Sequence, residues 1–177
     1  MHLKKLNISD KKDISFVENL YIESFPPSER RSVVAMLALF EERKKFAIDI
    51  VIKNEQHVGF LTYWDLGEFI FAEHFAIAPE ARNGGIGAKV MELFIKEAGK
   101  PIVLEVELPT TILSERRVGF YQRLGFKYWE DIPYQQPPYI KDGNPIPMKL
   151  MTIGNLDLNQ SFAEVKDRIY SEVYNLQ

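Results

Sequence analysis

Apolar residues recur at helical spacing in ISFVENLYIESF (14–25), at Ile14, Val17, Leu20, Tyr21 and Phe25, which predicts an amphipathic helix. Before it, LKKLNI (3–8) reads as a first strand, with Ser9 or Asp10 as the helix cap. Pro26 and Pro27 stop the helix, and Ser28 is positioned to cap a second one through VVAMLALFEE (33–42). The pattern then changes. FAIDIVIK (46–53), HVGFLTYWDL (57–66) and FIFAEHFAI (69–77) are rich in β-branched and aromatic residues and read as a three-strand meander. A glycine-rich bend leads into AKVMELFIKEA, a helix that Gly99 and Pro101 end. IVLEVEL (102–108) is a strand, and SERRVGFYQRLG (114–125) a helix with Ser114 as cap and Gly125 as stop. FKYWEDIPY and PIPMKLMTI predict two last strands, joined by the proline-rich YQQPPYIKDGNP. In the tail, Phe162, Val165, Ile169 and Val173 share one helical face. The order β-α-α-β-β-β-α-β-α-β-β plus a C-terminal helix predicts an α/β architecture, a mixed sheet covered by helices on both faces. Residues 1–154 form one domain in this reading. Residues 155–177 form a helical extension packed on that domain or on the partner of a homodimer.

Composition narrows the class. A chain of 177 residues buries roughly 70% of its unfolded surface, enough for one sizeable core. The net charge of −3, with no dense Lys/Arg run, argues against a nucleic-acid groove binder. The chain has no cysteine, which excludes disulfides, thiolate zinc sites and a cysteine nucleophile. Its three histidines, His2, His57 and His74, lack metal-ligand spacing, so no metal is expected. Neither a signal peptide nor a membrane-length apolar run is visible, so a cytoplasmic protein without membrane contact is expected.

The bend APEARNGGIGAKV (78–90) places Gly84, Gly85 and Gly87 at the mouth of a helix. A helix N-terminus leaves N–H groups without partners and favours negative charge, and glycines let a phosphate come close. The dinucleotide pattern G-x-G-x-x-G fails, because its third glycine would fall on Val90, and no P-loop string occurs. The pattern R/Q-x-x-G-x-G/A fits Arg82-Asn83-Gly84-Gly85-Ile86-Gly87, with a strand before it and a helix after it.

On these residues, and on FYQRLGF (120–126), the chain resembles the GCN5-related N-acetyltransferase superfamily over roughly residues 3 to 153. The resemblance implies that family's acyl-CoA N-acyltransferase fold and acetyl-coenzyme A as cosubstrate. It implies that the coenzyme is held by Arg82, Asn83, Gly84, Gly85, Ile86, Gly87 and Ala88, by Phe75, Ala76 and Ile77 of the preceding strand, and by Tyr121. The family pattern N-x-x-A-x-x-F-Y departs here: Ser114 stands for the Asn that contacts the pantetheine arm, and Arg117 for the Ala. Arg116 and Arg117 form a solvated helix face or meet the coenzyme's 3′-phosphate.

Acetyl transfer to an amine needs a base, because an alkylammonium of pKa ~10 is no nucleophile. It also needs donors for the developing oxyanion and an acid for the leaving thiolate. Tyr121 occupies the position that the family uses for the acid. Strand alternation puts Val103, Glu105 and Glu107 on one face of 102–108, and Phe69, Phe71, Glu73, Phe75 and Ile77 on one face of 69–77. Burial among those neighbours is expected to raise the pKa of Glu73. Glu105 resembles the base of ribosomal-protein alanine acetyltransferases, and Glu73 a glutamate of spermidine/spermine acetyltransferases. Water-relayed proton removal is the third route. His74 is expected on the opposite face from Glu73, in a structural role. The acceptor groove is expected from FPPSERRS and YQQPPYIKDGNP, with Phe25, Arg30, Glu107, Tyr134, Gln136 and Tyr139 as its residues. Cleft carboxylates favour a small cationic amine. The alternative is a non-catalytic acetyl-coenzyme A sensor or interaction module.

Overall fold

The computed structural model describes residues 1–140 and 143–176. Lys141 and Asp142 of the proline-rich connection, and Gln177 of the tail, lie outside the described residues. The chain runs β1 (His2–Lys5), α1 (Lys11–Ser24), α2 (Val33–Glu42), β2 (Phe46–Lys53), β3 (Gln56–Asp65) and β4 (Ile70–Ile77). It continues through α3 (Ile86–Ala98), β5 (Ile102–Glu107), α4 (Ile112–Arg123), β6 (Lys127–Tyr128), β7 (Tyr134–Gln136), β8 (Ile146–Ile153) and α5 (Leu158–Glu172). The strands form one mixed sheet in the order β1-β2-β3-β4-β5-β8-β6, with β7 also on β8.

Local chemistry sets the element ends. Asp10 caps α1 by accepting from Lys12 N–H, and Asp157 caps α5 by accepting from Asn159 N–H. Asn54 and Glu55 both adopt positive φ and close the β2–β3 hairpin. Two expected caps are displaced. Ser28 lies in a short 3-10 turn, Pro27–Glu29, and Ser32 caps α2 instead. Helix α4 starts two residues before Ser114. Thr111 is its cap, and Ser114 is the reciprocal partner in a capping box. The segment FKYWEDIPY splits into β6 and β7, which pair with opposite ends of β8.

Helices α1, α2 and α5 cover one face of the sheet. Val17, Tyr21, Met36, Val165 and Ile169 pack there against Ile48, Phe60 and Phe71. Helices α3 and α4 cover the other, with Met91, Phe94 and Val118 against Leu104, Val106 and Met151. The tail helix is therefore a core element of its own chain. Val165, Ile169 and Val173 are buried and Phe162 packs at their margin. Each fully buried side chain of this kind contributes about 1.5–3 kcal/mol of transfer free energy.

Two irregularities in β4 position the site. Pairing of β4 with β5, parallel because α3 crosses between them, covers only Ile70–Ala72 against Ile102–Leu104. Beyond it the strands part. In addition, the β3–β4 register shifts between Thr62↔His74 and Tyr63↔Ala72, leaving Glu73 as the extra residue of a β-bulge. The bulge reverses the alternation. Phe71 joins the α1/α5 side, whereas Phe75 and Ile77 pack toward α3. The expectation of one shared face from Phe69 to Ile77 is thus corrected. So is the expectation that Glu73 and His74 diverge: Glu73 Oε2 and His74 Nδ1 are 3.8 Å apart.

Candidate active site

Where β4 and β5 part, a cleft of about 840 Å³ opens. Its lining joins three parts: the α1 end and the following turn, the strands β4 and β5, and the glycine bend with α4. At the bend, Asn83 and Gly85 adopt left-handed φ of 70° and 66°. Gly85 is the N-cap of α3, and no side chain caps the helix. The first-turn N–H groups of Ile86, Gly87 and Ala88 therefore face the cleft without a side-chain acceptor. The space above Gly85 is open: a Cβ built there meets nothing within 4 Å. Arg82 turns its side chain back, donating from Nε to Ile77 O at 2.9 Å, and so clamps the bend to the end of β4. This cradle suits a phosphate of a coenzyme. Phe75, Ala76 and Ile77 lie along the unpaired stretch of β4 on the same cleft.

Glu73 and Glu105 both border the cleft, in opposite electrostatic settings. Burial alone would raise Glu73, but Arg31, His74 and the Trp64 indole outweigh it and hold its carboxyl below the usual range. Arg31 forms an ion pair with Oε1, Tyr139 donates to Oε1 at 3.0 Å, and Trp64 Nε1 donates to Oε2 at 3.0 Å. Its side chain is 1% exposed. The expected rise in its pKa is overturned by the Arg31 pairing, and the carboxylate has no free face for a proton. Glu105 has no such cation on it. Burial pushes it up to about 7, against the pull of the Tyr134 and Tyr174 hydroxyls bonded to it.

Tyr121 lines the cleft from α4, and burial pushes its phenol up to about 12, so it stays protonated at neutral pH. His74 is satisfied at both ring nitrogens. Nδ1 lies 3.0 Å from the Thr62 hydroxyl and Nε2 3.1 Å from Glu29 O. Burial lowers its pKa, so it is a neutral structural residue.

On the acceptor side the cleft brings together Phe25, Glu107, Gln136 and Tyr139, as expected. Arg30 is not among its walls. It pins the α1–α2 segment by donating to Phe25 O and Arg31 O over the Tyr21 ring. Tyr134 is buried behind Glu105 and supports it rather than lining the cleft. Ser114 is also outside: its hydroxyl donates to Thr111 O and accepts from Thr111 N–H, so it cannot serve the pantetheine arm as the family's Asn does. Arg116 and Arg117 do reach the cleft, the latter paired with Glu107. Sequence reasoning missed Arg31, Glu29 and Tyr174. Burial and the nearby Glu107 raise the Glu29 carboxyl. The Tyr170/Tyr174 pair at helical spacing was the available signal for the third.

Comparisons with known proteins agree with this fold. A family model described as the acetyltransferase (GNAT) domain matches residues 45–128. A solved structure from Bacteroides thetaiotaomicron, described as an acetyltransferase of the GNAT family, is 38% identical with TM-score 0.94, each chain covered in full. YjbC of Bacillus subtilis, a protein named for an inferred acetyltransferase activity, is 35% identical over 116 residues, 64% of this chain. That match spans 58% of YjbC's own length. A spermidine N-acetyltransferase from Vibrio cholerae has the same fold at 16% identity, with TM-score 0.65 over 86% of this chain and 94% of its own. With a relative 38% identical over the full length of both chains and of the same shape, the chain belongs to the GCN5-related N-acetyltransferase (GNAT) family.

Proposed function

We propose that this protein transfers an acetyl group from acetyl-coenzyme A to a primary amine of a small cationic acceptor, by direct attack in a ternary complex. The observation that carries the reading is Glu105. It is a half-buried carboxyl with a pKa pushed up to about 7, in the same cleft as the phosphate cradle. Such a group is half ionised at neutral pH and is matched to take a proton from an ammonium.

The residues fit the coenzyme. Gly85, Ile86, Gly87 and Ala88 would hold its pyrophosphate through backbone N–H groups, with the unpaired edge at Phe75–Ile77 beside its arm. The bound coenzyme supplies a thioester as the acyl donor. Glu105 accepts the ammonium proton. Tyr121, whose hydroxyl has no hydrogen-bond partner among the described residues, gives a proton to the leaving sulfur. Glu107 is paired with Arg117, so Glu23 and Glu29, beside the α1 end of the cleft, are the carboxylates that favour a positively charged acceptor. Arg31 and Glu73 neutralise each other and orient Tyr139.

A panel of polyamines, amino sugars, amino acids and peptide N-termini, read by thiol release from acetyl-coenzyme A, tests the proposal. A cationic small amine is expected to be acetylated in preference to neutral or anionic ones. Tight coenzyme binding with no amine acetylated would favour a sensor or interaction module instead.

A further inference from the structure

Glu105 is held by two tyrosines from distant parts of the chain. Tyr134 of β7 donates to Oε1, and Tyr174, just past α5, donates to Oε2 at 2.8 Å. The Tyr174 hydroxyl also lies 3.3 Å from that of Tyr139, which donates to Glu73 Oε1 at 3.0 Å. The two glutamates that compete as bases in the sequence are thus the ends of one chain, Glu105–Tyr174–Tyr139–Glu73. The tail is tied down at this point. Arg31 pairs with Glu73, donates to Val173 O at the end of α5, and stacks 4.5 Å from the Tyr139 ring centre.

A phenol carries one hydrogen but can also accept. With Glu105 ionised, Tyr174 points its hydrogen at Oε2. With Glu105 protonated on Oε2, the carboxyl O–H donates to the Tyr174 oxygen. The Tyr174 hydrogen then turns to the Tyr139 oxygen, while the Tyr139 hydrogen stays on Glu73. Arg31 keeps Glu73 ionised, which fixes that last bond. Tyr134 has no second acceptor among the described residues, so Oε2 is the oxygen that takes the proton. We infer that Tyr174 is a positioning residue that serves both protonation states of Glu105 by reversing its hydrogen bond, so that the C-terminal tail sets the pH at which this carboxyl ionises. The consequence for catalysis rests on Glu105 being the base of the proposed reaction; the titration itself does not.

Glu105 is faced by Glu73 from β4, Arg31 from the segment before α2, Tyr134 from β7, Tyr139 from the β7–β8 connection, and Tyr170 and Tyr174 from the tail. The two groups in this set that are charged at neutral pH, besides Glu105, are Glu73 and Arg31, and they are paired with each other. The tyrosine hydroxyls are therefore the direct levers.

The test is a carboxyl-carbon NMR titration of the full-length protein labelled at glutamate, with the Glu105 signal assigned by its loss in Glu105→Gln. Tyr174→Phe removes a donor to the ionised form and should raise the midpoint by about one pH unit or more. Tyr139→Phe removes the acceptor that Tyr174 uses only when Glu105 is protonated, and should lower the midpoint. Simple loosening would admit water and lower both. A Tyr174→Phe midpoint that is unchanged or lowered, in a protein with wild-type circular dichroism, overturns the inference, as does a Tyr139→Phe midpoint that rises. With an acceptor in hand, the acidic limb of the rate profile should move with the midpoint. A midpoint that moves while the limb stays supports the role of Tyr174 and overturns Glu105 as base.

Discussion

Replacing Arg31 with methionine should destabilise the protein in a pH-dependent way. The Glu73 side chain is 1% exposed and that of Arg31 10%, so the pair is shielded from water. Removing the cation leaves a buried carboxylate with only the Trp64 and Tyr139 donors. Breaking a buried ion pair from one side costs about 3–5 kcal/mol. For a chain of this size each kcal/mol shifts Tm by about 2–4 °C, so Tm should fall by roughly 6–20 °C at pH 8. In the wild type the Glu73 pKa is depressed, so its contribution is present above the unfolded pKa and fades as pH falls through the folded one. In Arg31→Met, burial unopposed by the cation raises that pKa, and Glu73 escapes the penalty by protonating. The gap between variant and wild type should therefore narrow from pH 8 to pH 5. Thermal unfolding followed by circular dichroism across that range gives the gap. Adding Glu73→Gln should recover much of the loss at pH 8, since no charge is then left buried. A variant within about 1 °C of wild type at pH 8, or a loss equal at both pH values, would refute the assignment of Glu73 as an Arg31-dependent buried anion.

Gly87→Glu should fold, because a Cβ there meets Phe120 and Ile77 at ordinary distances of 3.7 and 3.8 Å. It should nevertheless lose the stabilisation by acetyl-coenzyme A, about 2.7 kcal/mol at a hundredfold excess over Kd, as read by thermal shift. Tyr121→Phe should lower kcat by about 10²–10⁴-fold with little change in KM, measured with any acceptor found; an unaffected kcat would remove Tyr121 as the acid. Ile169→Ala, at a position with no exposed area, should cost about 2–5 kcal/mol in denaturant unfolding; a cost under about 1 kcal/mol would mean the tail helix is not part of the core.

Periodicity was enough for the helices, the meander and the glycine bend, because each depends on residues near one another in the chain. The places of Glu105 and Tyr121 on the cleft were legible for a related reason: strand alternation and a local motif orient them. Glu73 was not. A single bulge residue inverts every side chain after it, and nothing in FIFAEHFAI marks where the extra residue falls. The electrostatics were hidden for a second reason. The sign of the Glu73 shift is decided by Arg31, forty-two positions earlier in the chain. Ser114 failed differently, since its local role as a capping partner to Thr111 consumed the hydroxyl that the family motif would have used. Tyr174 sits just past an apolar stripe, and only the tertiary packing of α5 brings it onto Glu105.

The central claim is that Glu105 is the base of an acetyl transfer, and the pH dependence of kcat/KM in the wild type and in Glu105→Gln tests it most directly. Glu105 is pushed up to about 7, and it must be ionised to act. Wild-type kcat/KM should therefore rise with pH through an acidic limb centred near that value, and Glu105→Gln should lose the limb along with about 10²–10⁴-fold in rate at pH 8. A Glu105→Gln enzyme that keeps both the wild-type rate and the wild-type acidic limb would contradict the account.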